Sequence, residues 1–316
     1  MLARAEPAAR HWTQMRKRGQ MLPFELMLPR WAVADTLVAP GGGDGSAHPG
    51  PSDDTAAAPA LAILNASNCL QVITEVLAAN ALPHQLLPGH LELLLMADDD
   101  LGAWRSPAGS IARAGVWQAP FDETVTVTAR RCLTGGHIEL DGRVVASSTG
   151  AGADSGNVML RYDSWDHAFN PTTADFMRVV LDGDLQLDYE PGPRSRIRSA
   201  GLRLAYDFGH GPHRLTLRDY AVEKATARSG DAIFAVSGVL TSSAANGGCV
   251  VVETGAPLDG LIDWARGELG IRGAAGARIL LTAIDATKVR VRLDADGDGS
   301  YEIDAEAAWG ELSPVL

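Results

Sequence analysis

The residues with the clearest chemical potential lie near the C-terminus: Asp294-Ala-Asp296-Gly-Asp298-Gly299-Ser300-Tyr301-Glu302. Carboxylates at the first, third and fifth positions followed by glycine form the opening of a calcium-binding loop. Calcium is a hard cation that takes about six to eight oxygens, and alternate side chains on a tight turn converge on one centre. Gly299 permits the turn and the Ser300 carbonyl can be a further ligand. The candidate metal set is therefore Asp294, Asp296, Asp298, Ser300 and Glu302. The loop departs from the helix–loop–helix form in two ways. Its twelfth position is Ala305 where a bidentate Glu would stand, and its flanks alternate like strands: Val289, Val291 and Leu293 with Arg290 and Arg292 on the way in, Tyr301 and Ile303 on the way out. The loop is expected to tip a β-hairpin and to bind calcium with modest affinity. The alternative is an acidic Asp-Gly turn without an ion, its mutual repulsion relieved in part by the two arginines.

Other groups of residues carry weaker chemistry. His210-Gly-Pro-His213 offers two nitrogen ligands, and with His137 would suit a metal-dependent hydrolase. Asp163-Ser-Trp165-Asp166-His167-Ala-Phe169 mixes aromatics with carboxylates, as glycan-binding surfaces do, and would serve a module that takes a glycan or apolar ligand on the concave face of a sheet. Asp98-Asp99-Asp100 is either a cation site or a solvated loop. Gly150-Ala-Gly152-Ala-Asp-Ser155 lacks the third glycine of a dinucleotide loop, and no G-x-S-x-G elbow is present. No catalytic constellation emerges. The cysteines are Cys69, Cys132 and Cys249, too far apart for a C-x-x-C pair. They allow one disulfide with one leftover thiol, or Cys69 on the helix and Cys249 in an apolar run as buried thiols, and the sequence does not choose.

The elements that would position these residues are mainly strands. One helix is expected over 63–81, where Cys69, Val72, Ile73, Val76 and Leu77 share a face at the helical period. Asn65 or Ser67 would cap it and Pro83 would stop it. Residues 91–97 are apolar but too short to type. From residue 120 the period becomes two: Thr124–Thr128, His137–Leu140, Asp184–Asp188, Leu202–Leu204, Arg214–Arg218 and Lys288–Leu293 all alternate. Asp141-Gly142 and Asp182-Gly183 are expected to be turns. The fold class is mainly β, an antiparallel meander forming a curved sheet, sandwich or open barrel with one N-terminal helix. An internal echo supports two related halves, about 120–200 and 201–316. Ile138, Leu140, Gly142 and Val144 match Phe234, Val236, Gly238 and Leu240 at one offset, and Val125–Val127 and Val158–Leu160 match Leu215–Leu217 and Val250–Val252. Similarity between any two meanders would give the same impression.

Charge divides the 316-residue chain. The body is acidic and the whole carries −12, which argues against nucleic acid as a partner because phosphate binding rests on Lys and Arg. Residues 1–30 instead hold six basic and two acidic residues. Residues 1–39 thus have the polarity of an export signal, with Arg16-Lys17-Arg18 ahead of Met21–Ala39. Glu25, Arg30, Asp35, Pro23 and Pro29 interrupt that apolar stretch, so a partly apolar extension or a mis-started chain is equally consistent. Residues 40–60 are rich in Gly, Pro and Ala and read as a disordered tether to a β-rich domain over 61–316. No stretch in the body is long and apolar enough to be a transmembrane segment.

Two stretches resemble known families. Val38-Ala39-Pro40-Gly41-Gly42-Gly43-Asp44-Gly45-Ser46 is similar to the processing site and tether of bacterial envelope lipoproteins, with Pro40 where the lipid-bearing Cys would stand. Residues 278–316, with the acidic turn and then Ala308-Trp309-Gly-Glu311-Leu312, resemble the end of uncharacterised secreted or lipoprotein-type bacterial proteins. These resemblances imply a β-rich domain in the periplasm or envelope, or secreted, and imply no activity. A cytoplasmic location follows if the N-terminal segment is not a signal. The leading expectation is a non-catalytic envelope β-domain of unknown role, with calcium at the C-terminal hairpin as its candidate ligand; a ligand-binding module and a hydrolase are the alternatives.

Overall fold

The computed structural model describes residues 60–95, 109–115, 124–134, 138–149, 156–169, 177–189, 194–207, 212–226, 232–260 and 264–312. The signal-like segment, all of the tether but Ala60, Asp98–Asp100, His137, the 150–155 stretch and His210 lie outside them.

Alternating apolar residues across most of the chain demand a sheet with one buried face, and that is what forms. A single antiparallel meander runs through β1 (Ser110–Ala114), β2 (Val125–Thr134), β3 (Ile138–Thr149), β4 (Gly156–Phe169), β5 (Met177–Tyr189), β6 (Ser195–Ser199), β7 (Leu202–Asp207), β8 (His213–Thr226), β9 (Ala232–Ser242), β10 (Cys249–Ala256), β11 (Glu268–Arg272), β12 (Arg278–Ala283), β13 (Lys288–Asp294) and β14 (Ile303–Ala308). β6 and β7 both pair with β5 and with β8, so they form one strand broken at Ala200-Gly201. The buried face takes Val125, Val127, Val144, Leu160, Leu181, Leu215, Leu240, Ile279 and Val291. The outer face carries ion pairs such as Arg178–Asp166, Arg203–Asp182 and Arg290–Asp304. Exposed pairs contribute about 0–1 kcal/mol each, so burial dominates the stability.

The core of the sheet is filled by a helix, α1 (Cys69–Leu95). Its start is set by Asn65, whose Oδ1 accepts from the backbone N–H of Ser67 at 2.9 Å and of Asn68 at 3.2 Å. It is longer than expected and does not end at Pro83. A proline inside a helix costs about 3 kcal/mol. Beyond it, however, Leu86, Leu87, Leu91, Leu93 and Leu94 are all buried, each contributing about 1.5–3 kcal/mol. The burial outweighs the proline. Nor is the apolar face a stripe, since residues 72, 73 and 75–83 are all buried, the signature of a helix enclosed on every side. Strands β1, β4 and β8 and the short C-terminal helix α2 (Trp309–Leu312) all bond to it.

A sheet curls around a helix only if its strands bend, and the bends are visible. β2 is bulged between Ala129 and Cys132, β4 between Tyr162 and Trp165, and β8 between Arg218 and Ala221. Arg131, Ser164 and Asp219 sit at these bulges with φ of 46°, 47° and 47°. Gly142, Gly183 and Gly238 face the interruptions from neighbouring strands, at φ of 105°, 112° and 143°. Asp141-Gly142 and Asp182-Gly183 are therefore not turns. They lie inside β3 and β5, where glycine lets a bulged neighbour approach: a Cβ on Gly142 would stand 2.3 Å from the Ser164 carbonyl oxygen. The echo between Gly142 and Gly238 has a geometric counterpart, since both sit mid-strand beside a bulge.

Candidate functional site

The acidic loop joins β13 to β14, whose register pairs Leu293 with Ile303 and Arg292 with Asp304. The loop thus tips a β-hairpin. Its shape follows from short side chains bonding their own backbone. Asp294 is buried and accepts from the N–H of Gly297 at 2.8 Å through Oδ1 and of Gly299 at 3.1 Å through Oδ2. Glu302 reaches back to the N–H of Ala295 at 2.7 Å, and Asp298 accepts from Ser300 N–H at 2.7 Å. Gly297, at φ 76°, packs on the Ala274–Gly276 turn so closely that a Cβ there would lie 2.6 Å from the Ala275 carbonyl oxygen.

Of the expected ligands, Asp294, Asp296 and Glu302 come together, with carboxylate oxygens all within 4.8 Å of one another. Asp298 is not in that group, and Ser300 is an exposed loop residue beside it. Three carboxylates on an ordered loop offer oxygen ligands alone, a donor set suited to a hard cation and unsuited to a soft one. Among the described residues this is the one cluster of three or more His, Cys, Asp or Glu side chains at metal-binding spacing.

In the aromatic candidate on β4, Asp163 and Asp166 stay on the outer side while the rings turn inward. Trp165 and His167 are fully buried rather than displayed on a surface. The Trp165 Nε1–H donates to His167 Nε2 at 2.7 Å, and His90 Nε2 lies 2.8 Å from the same atom. An indole can only donate, so His167 Nε2 is the acceptor and His90 Nε2 carries the proton. His90 Nδ1 is then an acceptor for the Tyr162 hydroxyl at 2.8 Å. Burial drives both histidines toward the neutral form: the His167 pKa falls to about 3, and that of His90 also lies well below its usual value. Tyr162 is pushed above its ordinary range by the same cause.

His213 is half-buried and meets a residue that sequence reasoning missed. Glu75, enclosed on α1, accepts from His213 Nδ1–H at 3.0 Å, Ser243 Oγ–H at 2.5 Å, the Ala244 N–H at 3.2 Å and the Ser242 hydroxyl. Tyr206 stacks on the His213 ring at 4.9 Å. With Nδ1 bonded to the carboxylate, Nε2 is the ring's second nitrogen. No second histidine joins it among the described residues. Nothing in the sequence flagged Glu75, because its partners lie 138 to 169 positions away. The three cysteines are all buried, and burial raises the Cys69 pKa to about 11, which suppresses its thiolate.

No described helix is long and apolar enough to cross a membrane. Compared with protein-family models, curated proteins and solved structures, the chain matches none. Fold and site together define an antiparallel β protein, wrapped on a central helix, with a three-carboxylate hairpin.

Proposed function

We propose that this protein is a non-catalytic β-domain of the bacterial envelope that binds calcium at the β13–β14 hairpin. The observation that carries the reading is the convergence of Asp294, Asp296 and Glu302 on a loop already held in shape by its own backbone hydrogen bonds. A pre-shaped loop spares calcium the entropy of ordering it. Three carboxylates without a bidentate ligand at Ala305 suit the weak end of calcium affinity, about 0.1–1 mM, typical of modules outside the cytosol. This agrees with the location implied by the basic N-terminal segment and the resemblance of residues 38–46 to a lipoprotein tether.

Calorimetric titration of the full chain with calcium, and separately with magnesium, tests the reading. Calcium is expected to bind at one site, to raise the melting temperature by several degrees and to do neither in Asp296→Ala, while magnesium binds more weakly. Equal melting with and without millimolar calcium, or a shift that survives in Asp296→Ala, rules the site out.

A further inference from the structure

The outer face of the sheet carries many ion pairs, but three stretches that meet at the chain's entry into the fold carry no charge. No charged residue occurs over 55–74, 242–252 or 273–277. The Ala62 N–H donates to the Cys249 carbonyl at 2.7 Å, and the Ala274 N–H donates to the Ala62 carbonyl at 2.7 Å. Asn68 Nδ2 donates to the Ile63 carbonyl at 2.9 Å, which brings the start of α1 to the same place. Side chains of the entering strap alternate. Ala62 and Leu64 are buried, while Leu61 and Ile63 remain 45% and 73% exposed. Leu70, on the first turn of α1, is 53% exposed. Among the described residues the other large hydrophobic left in solvent is Ile284, beyond β12. A single exposed hydrophobic is ordinary, but three gathered on an uncharged surface mark a contact.

The chain that leads to this surface holds a matching strip. Leu22, Phe24, Leu26 and Leu28 alternate with Pro23, Glu25, Met27 and Pro29. Two prolines so close together oppose a helix and favour extended backbone. Extended backbone puts the four apolar side chains on one side and Glu25 on the other. The charge that spoils this stretch as a bilayer span therefore does not spoil that face. Residues 40–59, rich in Gly, Pro and Ala, join the strip to the surface, and a linker of this kind holds its ends at about millimolar effective concentration. Three half-exposed aliphatic side chains suffice for a contact of about millimolar Kd. Such a contact does not hold a second molecule present at micromolar concentration. Its strength selects a segment of the same chain.

We propose that Leu22–Leu28 docks as an extended strip on the uncharged surface formed by Leu61, Ile63 and Leu70. The contact is independent of the acidic hairpin. Limited chymotrypsin digestion of the full chain, followed by mass spectrometry, reads it directly. Phe24 lies inside the strip and Trp12 outside it. In the Ile63→Asp, Leu70→Asp double variant, cleavage after Phe24 should be at least about threefold faster than in the wild type, as the docked fraction is lost by mass action, while cleavage after Trp12 is unchanged. Both substitutions are at exposed positions, and circular dichroism checks that the fold is kept. Leu26→Asp, on the strip itself, should speed cleavage after Phe24 to the same degree. Equal rates after Phe24 in wild type and variants overturn the proposal. A wild-type dimer by sedimentation that the double variant abolishes assigns the surface to a second copy and also overturns it. So does pelleting with phosphatidylglycerol vesicles that the double variant loses, which assigns the surface to lipid.

Discussion

His90 and His167 face each other across 2.8 Å between their Nε2 atoms, inside the core, sharing one proton that neither can surrender to water. Each imidazole is held neutral by burial, and the positive charge that protonation of His167 would bring further disfavours charging His90. The pair ties the far end of α1 to β4, while Glu75 and Asn80 tie its beginning and middle to β8 and its neighbours. Polar anchors spaced along an enclosed helix fix its depth and rotation, which apolar packing alone would leave free to slide.

That arrangement makes stability depend on acid. A base whose pKa is lowered by folding binds fewer protons in the folded than in the unfolded state. Stability is therefore fully present above the unfolded value of 6.5 and is lost as pH falls through it, down to about 3 for His167. Each such histidine contributes a slope of about 1.4 kcal/mol per pH unit within that window. Urea denaturation between pH 7.5 and 4.5 should show the loss. The His90→Leu, His167→Phe double variant should be less stable at pH 7.5, because Tyr162 and Trp165 lose their partners, yet flatter in its pH dependence. An unchanged slope in the double variant would refute the assignment.

Glu75 presents a different kind of anchor. Its carboxylate gathers four donors in a dry site, so truncation strands all of them. Glu75→Ala should cost about 3–5 kcal/mol, since the buried donors it strands cost about 1–3 kcal/mol each. His213→Ala, at a half-exposed partner, should cost about 1 kcal/mol. Chemical denaturation of the two variants measures the difference, and similar values for both would show that the serines and the Ala244 N–H contribute little.

The glycines at the bulges can be tested one against another. Gly142→Ala places a Cβ against the Ser164 carbonyl and Gly238→Ala places one 2.6 Å from the Tyr220 Cα, both at positive φ. Each should cost about 1–3 kcal/mol, the range for a residue forced into a sparsely populated conformation. Gly201→Ala, with nothing within 4 Å, should change stability by less than about 0.5 kcal/mol. If all three behave alike, the bends are not set by these close approaches.

Much of this architecture can be read from the chain. Alternation in residues such as Val289, Val291 and Leu293 dictates strands, and the antiparallel sheet follows because no long helical segments separate them. What escapes is whatever depends on distant partners. Pro83 signals a helix end by local chemistry, and only the surrounding sheet, which makes burying Leu86 to Leu94 worthwhile, overrides it. Asp141-Gly142 has the composition of a turn, and only the bulge in β4 reveals it as the inside of a strand. Trp165, surrounded by carboxylates in sequence, alternates with Asp166 across the sheet, so its neighbours face water while the indole faces the core. The acidic hairpin was legible because its carboxylates lie within nine residues of one another in sequence, from Asp294 to Glu302. Its finer selection was not, since which carboxylates converge depends on how the loop folds back through Glu302.

That selection gives the last prediction. The sequence spacing treats Asp294, Asp296 and Asp298 as equals, whereas the folded loop joins Asp294 and Asp296 with Glu302 and employs Asp298 to hold the Ser300 N–H. Removing a ligand charge from a hard-cation site weakens binding far more than removing a residue that only shapes the backbone. Asp296→Asn and Glu302→Gln should each reduce calcium affinity by at least about tenfold, equivalent to about 1.4 kcal/mol. Asp298→Asn keeps a side-chain oxygen for the Ser300 N–H and should change affinity by less than about threefold, a shift of about 0.6 kcal/mol. Titration calorimetry on the three variants separates the cases. If Asp298→Asn abolishes binding and Glu302→Gln does not, the cation is held by the consecutive aspartates, and the reach of Glu302 to the Ala295 N–H serves the hairpin alone.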